Sequence, residues 1–105
     1  MNKPLILVVE DDAPVRNLIT TTLKAHDYRF LTAANGESAI LEASSHNPEI
    51  MLLDLGLPDI DGVEVIRRVR SWSQMPIIVI NSELISRTFI TRITHTFNIV
   101  FIVSC

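Results

Sequence analysis

The chain has 105 residues, of which 48% are hydrophobic and 20% are charged, and its formal net charge is −3. This composition predicts one globular domain and excludes a disordered tail, and the acidic balance gives no electrostatic basis for binding nucleic acid or an anionic membrane. One cysteine, at the last position, permits no internal disulfide, which fits a reducing cytoplasm.

The first predicted element is a short apolar run over residues 5–9, rich in branched side chains. Such a run predicts a strand buried on both faces, and it is too short for a signal sequence or a membrane span. Glu10, Asp11 and Asp12 follow it, and Asp12 is suited to cap a helix that has Pro14 in its first turn. The apolar positions that recur at helical spacing in this helix are Val15, Leu18, Ile19 and Leu23.

The alternation of strand and helix then continues along the chain. Further apolar runs predict strands over residues 28–33, 50–53 and 77–80, and Asp54 stands at the end of the third strand. A loop over residues 55–61 precedes the third helix. The apolar positions that mark the second and third helices are Ala39, Ile40, Ala43, Val63, Ile66 and Val69.

Strands that recur at the pitch of a strand–helix unit predict an α/β fold with a doubly wound parallel sheet and helices on both faces. The chain after residue 80 has a different composition, rich in serine and threonine. There, Ser82 can cap a fourth helix, and residues 99–103 predict a fifth strand. We therefore expect residues 1–105 to form a single domain.

Acidic side chains follow two of the predicted strands. Glu10 and Asp11 come after the first strand and Asp54 ends the third, so they converge in one crevice if these strands are neighbours. Such close like charges favour a bound cation, and hard oxygen ligands suit Mg²⁺. A carboxylate beside Mg²⁺ can accept a phosphoryl group. Alternatively, these acids are helix caps and solvated loop ends, the role that we expect for Asp59 and Asp61.

Two stretches carry a family resemblance: LVVEDD over residues 7–12 and LLDLGLPDIDG over residues 52–62. They resemble the receiver domain of bacterial two-component response regulators of the OmpR/PhoB type. Residues 69–73 before the fourth strand are most similar to the branch that regulates potassium uptake through the Kdp operon. The resemblance covers residues 4 to about 80, and residues 81–105 diverge from it.

The resemblance implies a flavodoxin-like receiver fold in which Asp54 is the phosphoacceptor and a sensor histidine kinase is the phosphoryl donor. It also implies that Glu10, Asp11, Asp54 and the backbone carbonyl of Gly56 hold Mg²⁺. In the family this chemistry controls an attached DNA-binding domain, and no such output domain is expected within this chain. We therefore expect a cytoplasmic, non-enzymatic signalling module in transcription regulation that does not itself bind nucleic acid.

The sequence departs from the family after the fourth strand. The position of the family's switch serine or threonine holds Asn81, with Ser82 one residue late, so both are switch candidates. No lysine stands after the predicted fifth strand, so no phosphate-binding lysine is assigned. The family's last helix also has no counterpart, which predicts a fold truncated before that helix. We expect such a chain to be marginally stable or to cover an exposed sheet face by association, for example as a homodimer.

Two alternatives to a phosphoacceptor module remain open. The chain can be a truncated, non-signalling receiver remnant that keeps the acidic pocket and acts only through protein association. An aspartyl phosphohydrolase would carry a second aspartate two residues after the nucleophile as its general acid, but Gly56 occupies that position. The sequence therefore argues against an enzyme.

Overall fold

The first apolar run forms strand β1, Leu5–Val9, in the bounds that the sequence predicts. The structure is a computed structural model that describes residues 3–81 and 101–104. The other strands are β2 (Arg29–Ala33), β3 (Ile50–Asp54), β4 (Ile77–Asn81) and β5 (Phe101–Ser104). The helices between them are α1 (Ala13–Ala25), α2 (Gly36–His46) and α3 (Gly62–Arg70).

In the described part of the chain, the strands form one parallel sheet in the order β2-β1-β3-β4-β5. The strand order reverses direction at β1, so β1 and β3 are neighbours although α1, β2 and α2 separate them in sequence. Right-handed crossovers then put α1 on one face of the sheet and α2 and α3 on the other. This is the predicted doubly wound α/β fold. Among residues 3–81 and 101–104, no helix has the length and hydropathy to cross a membrane.

The main core lies between the sheet and the pair α2 and α3. Its largest members from the sheet are fully buried and alternate along the strands, as side chains on one face must: Leu7, Met51, Leu53, Ile77 and Val79. From the helices, Val65, Ile66 and Val69 pack against them with the small residues Ala39 and Ala43. This face holds the ends of β1 and β3 at fixed positions.

The opposite face, which α1 covers, is less completely buried. Of the residues of α1, none is buried, and Leu18 is 69% exposed. The predicted apolar positions of this helix therefore do not form a buried stripe. At about 100° per residue, Leu18 lies well around the helix from Ile19 and Leu23, which are half-buried. On the sheet below, Leu52 and Ile78 are also only half-buried.

Three further expectations concern the ends of helices and strands. Asp12 and Asp61 do cap helices, since Asp12 Oδ2 accepts a hydrogen bond from Val15 N at 3.1 Å and Asp61 Oδ1 accepts one from Val63 N at 2.9 Å. The predicted fifth strand is present over Phe101–Ser104, and residues 99 and 100 lie outside the described residues. The predicted helix that Ser82 would cap lies outside the described residues.

Candidate functional site

The candidate site is at the carboxyl edge of the sheet, where β1 and β3 end side by side. Val9 is paired with Leu53, so the next residues, Glu10 and Asp54, stand at the same level of two adjacent strands. Glu10 N donates a hydrogen bond to Ala33 O at 3.0 Å, which continues the ladder between β1 and β2 past the strand end. Both acidic residues are therefore held by backbone pairing rather than by a free loop.

Glu10, Asp11 and Asp54 come together as the sequence predicts. Each offers a carboxylate oxygen within 4.8 Å of the others. Glu10 is buried, with 6% of its surface exposed, whereas Asp54 is half-buried and Asp11 is exposed. The cluster is thus closed toward the protein interior and open on the side of Asp11, which leaves room for a hydrated ligand.

The pKa of Glu10 is raised to about 7. Burial is the main cause, and the hydrogen bond and the charge of the neighbouring Asp54 carboxylate also raise it. The hydrogen bond that Asp12 N donates to Glu10 Oε2 at 3.2 Å acts in the opposite direction. Three carboxylates without a counter-ion are therefore unfavourable, and the buried one carries a proton near neutral pH. This donor set fits a divalent cation with a preference for oxygen ligands, such as Mg²⁺.

We expect the Glu10 carboxylate to make stability depend on pH. Its pKa in the folded state lies above the ordinary value of 4.5. The folded chain therefore binds more protons than the unfolded chain between these two values. In Mg²⁺-free buffer, the free energy of unfolding should fall as the pH rises from about 5 to about 8, and urea unfolding would measure it.

Excess Mg²⁺ should remove this decrease, because the cation replaces the proton among the carboxylates. The control is Glu10→Gln, which lacks the titrating group and should show a flatter profile. A wild-type profile identical to that of Glu10→Gln would contradict the interpretation.

Arg16, in the first turns of α1, positions the loop that carries two of the carboxylates. Its Nη1 donates to the Glu10 carbonyl at 2.8 Å and to the Asp11 carbonyl at 3.4 Å. The guanidinium thus binds backbone oxygens of the acidic loop. The sequence does not single out this residue, because nothing in the pattern distinguishes it from a solvated arginine on a helix.

The loop after β3 carries the remaining predicted ligand. Gly56 N donates to Asp54 Oδ1 at 3.2 Å, so the Asp54 side chain turns back onto its own loop. Asp59, expected to be a turn or cap residue, caps a distant helix: it accepts hydrogen bonds from Gly36 N at 2.7 Å and Glu37 N at 2.9 Å, at the start of α2. These hydrogen bonds lower the pKa of Asp59, so it is ionised at neutral pH.

Of the two predicted switch candidates, the structure places one, Asn81, at the same edge of the sheet. Asn81 is the last residue of β4, next to β3 and paired in register with Ser104 of β5. The side chain of Asn81, and all of Ser82, lie outside what the structure describes. Their switch role stays a prediction.

The chain matches the response regulator receiver domain family over residues 6–96. This match extends past residue 80, the end of the stretch for which the motifs predict the resemblance. It is 40% identical over 78 residues to the KDP operon transcriptional regulatory protein KdpE of Escherichia coli, a match that covers 74% of this chain and 35% of that protein. It is 38% identical over 80 residues to the transcriptional regulatory protein AfsQ1 of Streptomyces coelicolor, covering 76% of this chain and 36% of that protein. The chain thus spans about a third of the length of these relatives.

Solved structures agree with the fold. The BeF3-activated N-terminal receiver domain of Klebsiella pneumoniae RstA is 28% identical, with a TM-score of 0.85 over 95% of this chain and 84% of that one. The N-terminal domain of a response regulator receiver protein from Methanoculleus marisnigri superposes with a TM-score of 0.87 at 22% identity, over 96% of this chain and 83% of that one. The predicted flavodoxin-like receiver fold is confirmed.

Proposed function

The chain belongs to the response regulator receiver domain family, and we propose that it accepts a phosphoryl group on Asp54 from a sensor histidine kinase, with Mg²⁺. In this proposal residues 1–105 act as a single receiver domain of a two-component phosphorelay. The relatives KdpE and AfsQ1 are transcriptional regulatory proteins, and we propose transcription regulation as the process that this module serves.

The observation that carries the proposal is the convergence of Glu10, Asp11 and Asp54, whose oxygens lie within 4.8 Å of one another. Helix caps and loop ends alone would not bring a buried glutamate to this cluster, because burying a carboxylate without a cationic partner is costly. The arrangement is one that a cation stabilises, and it sits at the strand ends where open α/β sheets bind ligands.

Glu10, Asp11 and Asp54, with the backbone carbonyl of Gly56, are the groups that we propose hold Mg²⁺. When bound, the ion would offset the negative charge of an incoming phosphoryl group and hold its oxygens. Arg16 fixes the loop that carries Glu10 and Asp11, and the Gly56 N–H fixes one oxygen of Asp54. Of the two strand-end carboxylates, Asp54 is less buried than Glu10, so it is the one that a phosphodonor can reach.

In the transfer step, a carboxylate oxygen of Asp54 forms a bond to phosphorus. The bond between phosphorus and the kinase's imidazole nitrogen breaks, and that nitrogen keeps the electron pair. The product is an acyl phosphate on Asp54. Asn81, the last residue of β4, and Ser82, the next residue in the sequence, are the proposed groups that would sense it, and no lysine is assigned to this role.

Phosphorylation by a small donor tests the proposal. Incubating the chain with acetyl phosphate and Mg²⁺ should add the mass of one phosphoryl group, measured by intact-mass spectrometry, and EDTA should prevent the addition. Asp54→Asn should abolish it. Asp61→Asn is the matched control, because it makes the same chemical change at the far end of the loop that follows Asp54, and Asn is an equally good helix cap. Phosphorylation of Asp54→Asn, or phosphorylation of the wild type that is as extensive in EDTA as in Mg²⁺, would contradict the proposal.

A second candidate, association without signalling, is favoured by the incomplete burial of the face under α1. Leu52 and Ile78 on that face of the sheet are half-buried, and Leu18 on α1 is exposed. A homodimer that covers this face would act as a protein-interaction module. The association candidate predicts a dimer in sedimentation at micromolar concentration and a structure that phosphodonor treatment leaves unchanged. The phosphoacceptor proposal instead predicts a structural change on phosphodonor treatment that depends on Asp54.

A further inference from the structure

We propose that Asp59 is a positioning residue for the acidic site, because it fastens the loop that follows Asp54 to the first turn of α2. The inference rests on the proposed function and adds to it a residue outside the carboxylate cluster of Glu10, Asp11 and Asp54. Asp59 accepts two backbone hydrogen bonds from α2, one per carboxylate oxygen, at 2.7 Å from Gly36 N and 2.9 Å from Glu37 N.

The loop over residues 55–61 is fixed at its base, where its two ends meet, and at Asp59 between them. Gly62 N donates to Leu55 O at 3.2 Å, which closes the base of the loop. Next to Asp59, the Ile60 side chain packs on Gly36 so closely that a Cβ at Gly36 would lie 2.2 Å from Ile60 Cγ1. The loop therefore docks on the start of α2 through a polar and an apolar contact.

The docked position of the loop determines where Gly56 lies. Gly56 is between Asp54 and Asp59 in the chain, and its N–H donates to Asp54 Oδ1 at 3.2 Å. Its carbonyl is the proposed fourth ligand. Releasing the loop from α2 would thus loosen both a proposed ligand and the hydrogen bond that orients the phosphoacceptor.

The helix itself does not explain this contact, because α2 already has a local cap. Asn35 Oδ1 accepts from Ser38 N at 2.8 Å, as an N-cap residue does. Asp59 satisfies the two preceding N–H groups from a loop that is 22 and 23 residues away in sequence. Its two charge-assisted hydrogen bonds also place a negative charge at the positive end of the helix dipole.

The test compares three variants of the full chain. Asp59→Ala removes both hydrogen bonds, Asp59→Asn keeps an oxygen that can accept one of them, and Asn35→Ala removes the local cap without touching the loop. Asp59→Ala and Asn35→Ala should lower the urea midpoint by similar amounts, since each removes a cap of the same helix. Calorimetric titration with Mg²⁺ should separate them: affinity should fall about tenfold in Asp59→Ala, less in Asp59→Asn, and stay unchanged in Asn35→Ala.

The outcomes distinguish this inference from the proposed function. If the wild-type chain binds Mg²⁺ and is phosphorylated on Asp54, but Asp59→Ala and Asn35→Ala bind Mg²⁺ equally well, the positioning role is overturned and the proposed function stands. If the wild-type chain binds no Mg²⁺, both are overturned. If Asp59→Ala does not fold, the isosteric Asp59→Asn decides: an affinity equal to that of the wild type would contradict the role.

Discussion

Replacing Asp54 by Asn should make the chain more stable in Mg²⁺-free buffer at neutral pH, even though it should remove the phosphoacceptor. Asp54 adds a negative charge beside the buried Glu10 and within reach of Asp11. Asn has the same shape, and its amide oxygen can still accept the hydrogen bond from Gly56 N. Removing the Asp54 charge relieves its repulsion with Asp11 and with the ionised fraction of Glu10, and should raise the free energy of unfolding by about 1 kcal/mol.

Urea unfolding in EDTA and in excess Mg²⁺ would measure this effect. With Mg²⁺, the difference should shrink or change sign, because the wild-type chain gains the stability that cation binding supplies and Asp54→Asn gains less. Asp61→Asn again serves as the control, since it should change neither value. An Asp54→Asn chain that is less stable than the wild type in EDTA would contradict the electrostatic interpretation of the cluster.

Gly62→Ala should have the largest effect on stability of the single substitutions considered for the loop after β3. A Cβ at Gly62 would lie 2.6 Å from Leu55 Cα and 3.1 Å from Asp54 O. The contacted atoms are mainly backbone, so they cannot move aside without shifting the end of β3. We expect a loss of about 1–3 kcal/mol in the free energy of unfolding, after the better helix propensity of alanine is included.

Gly56→Ala is the matched control for this substitution. A Cβ at Gly56 would meet nothing closer than Asp54 Oδ1 at 3.8 Å, an ordinary contact, and its backbone does not need a positive φ. Its urea midpoint should therefore stay close to that of the wild type. Equal midpoints for Gly62→Ala and Gly56→Ala would show that the loop does not pack against the end of β3 as described.

The sheet was the most predictable part of the fold. The continuous apolar runs in β1 and β3 can be recognised because a strand with helices or other strands packed around both faces favours apolar residues at successive positions. The helix α1 was less predictable. Helical spacing shows which residues share a face, but not how much of that face the sheet covers, and Leu18 is left exposed.

The acidic cluster could be predicted because it depends on strand ends. Once β1 and β3 are neighbours and parallel, Glu10 and Asp54 must emerge at the same edge. The contacts that support the cluster could not be predicted in this way. Arg16 and Asp59 bind backbone atoms of loops and helix ends, and such contacts leave no periodic pattern in a sequence.

Calorimetric titration of the wild-type chain and Asp11→Asn with Mg²⁺, at matched pH and protein concentration, tests the central claim most directly. Asp11 is exposed, so its replacement should leave the fold intact while it removes the negative charge of one of the three converging carboxylates. We predict that the wild-type chain binds one ion per molecule and that Asp11→Asn binds it at least about tenfold more weakly. Binding of equal strength in the two chains, or no binding by the wild type, would contradict a shared cation site at the ends of β1 and β3.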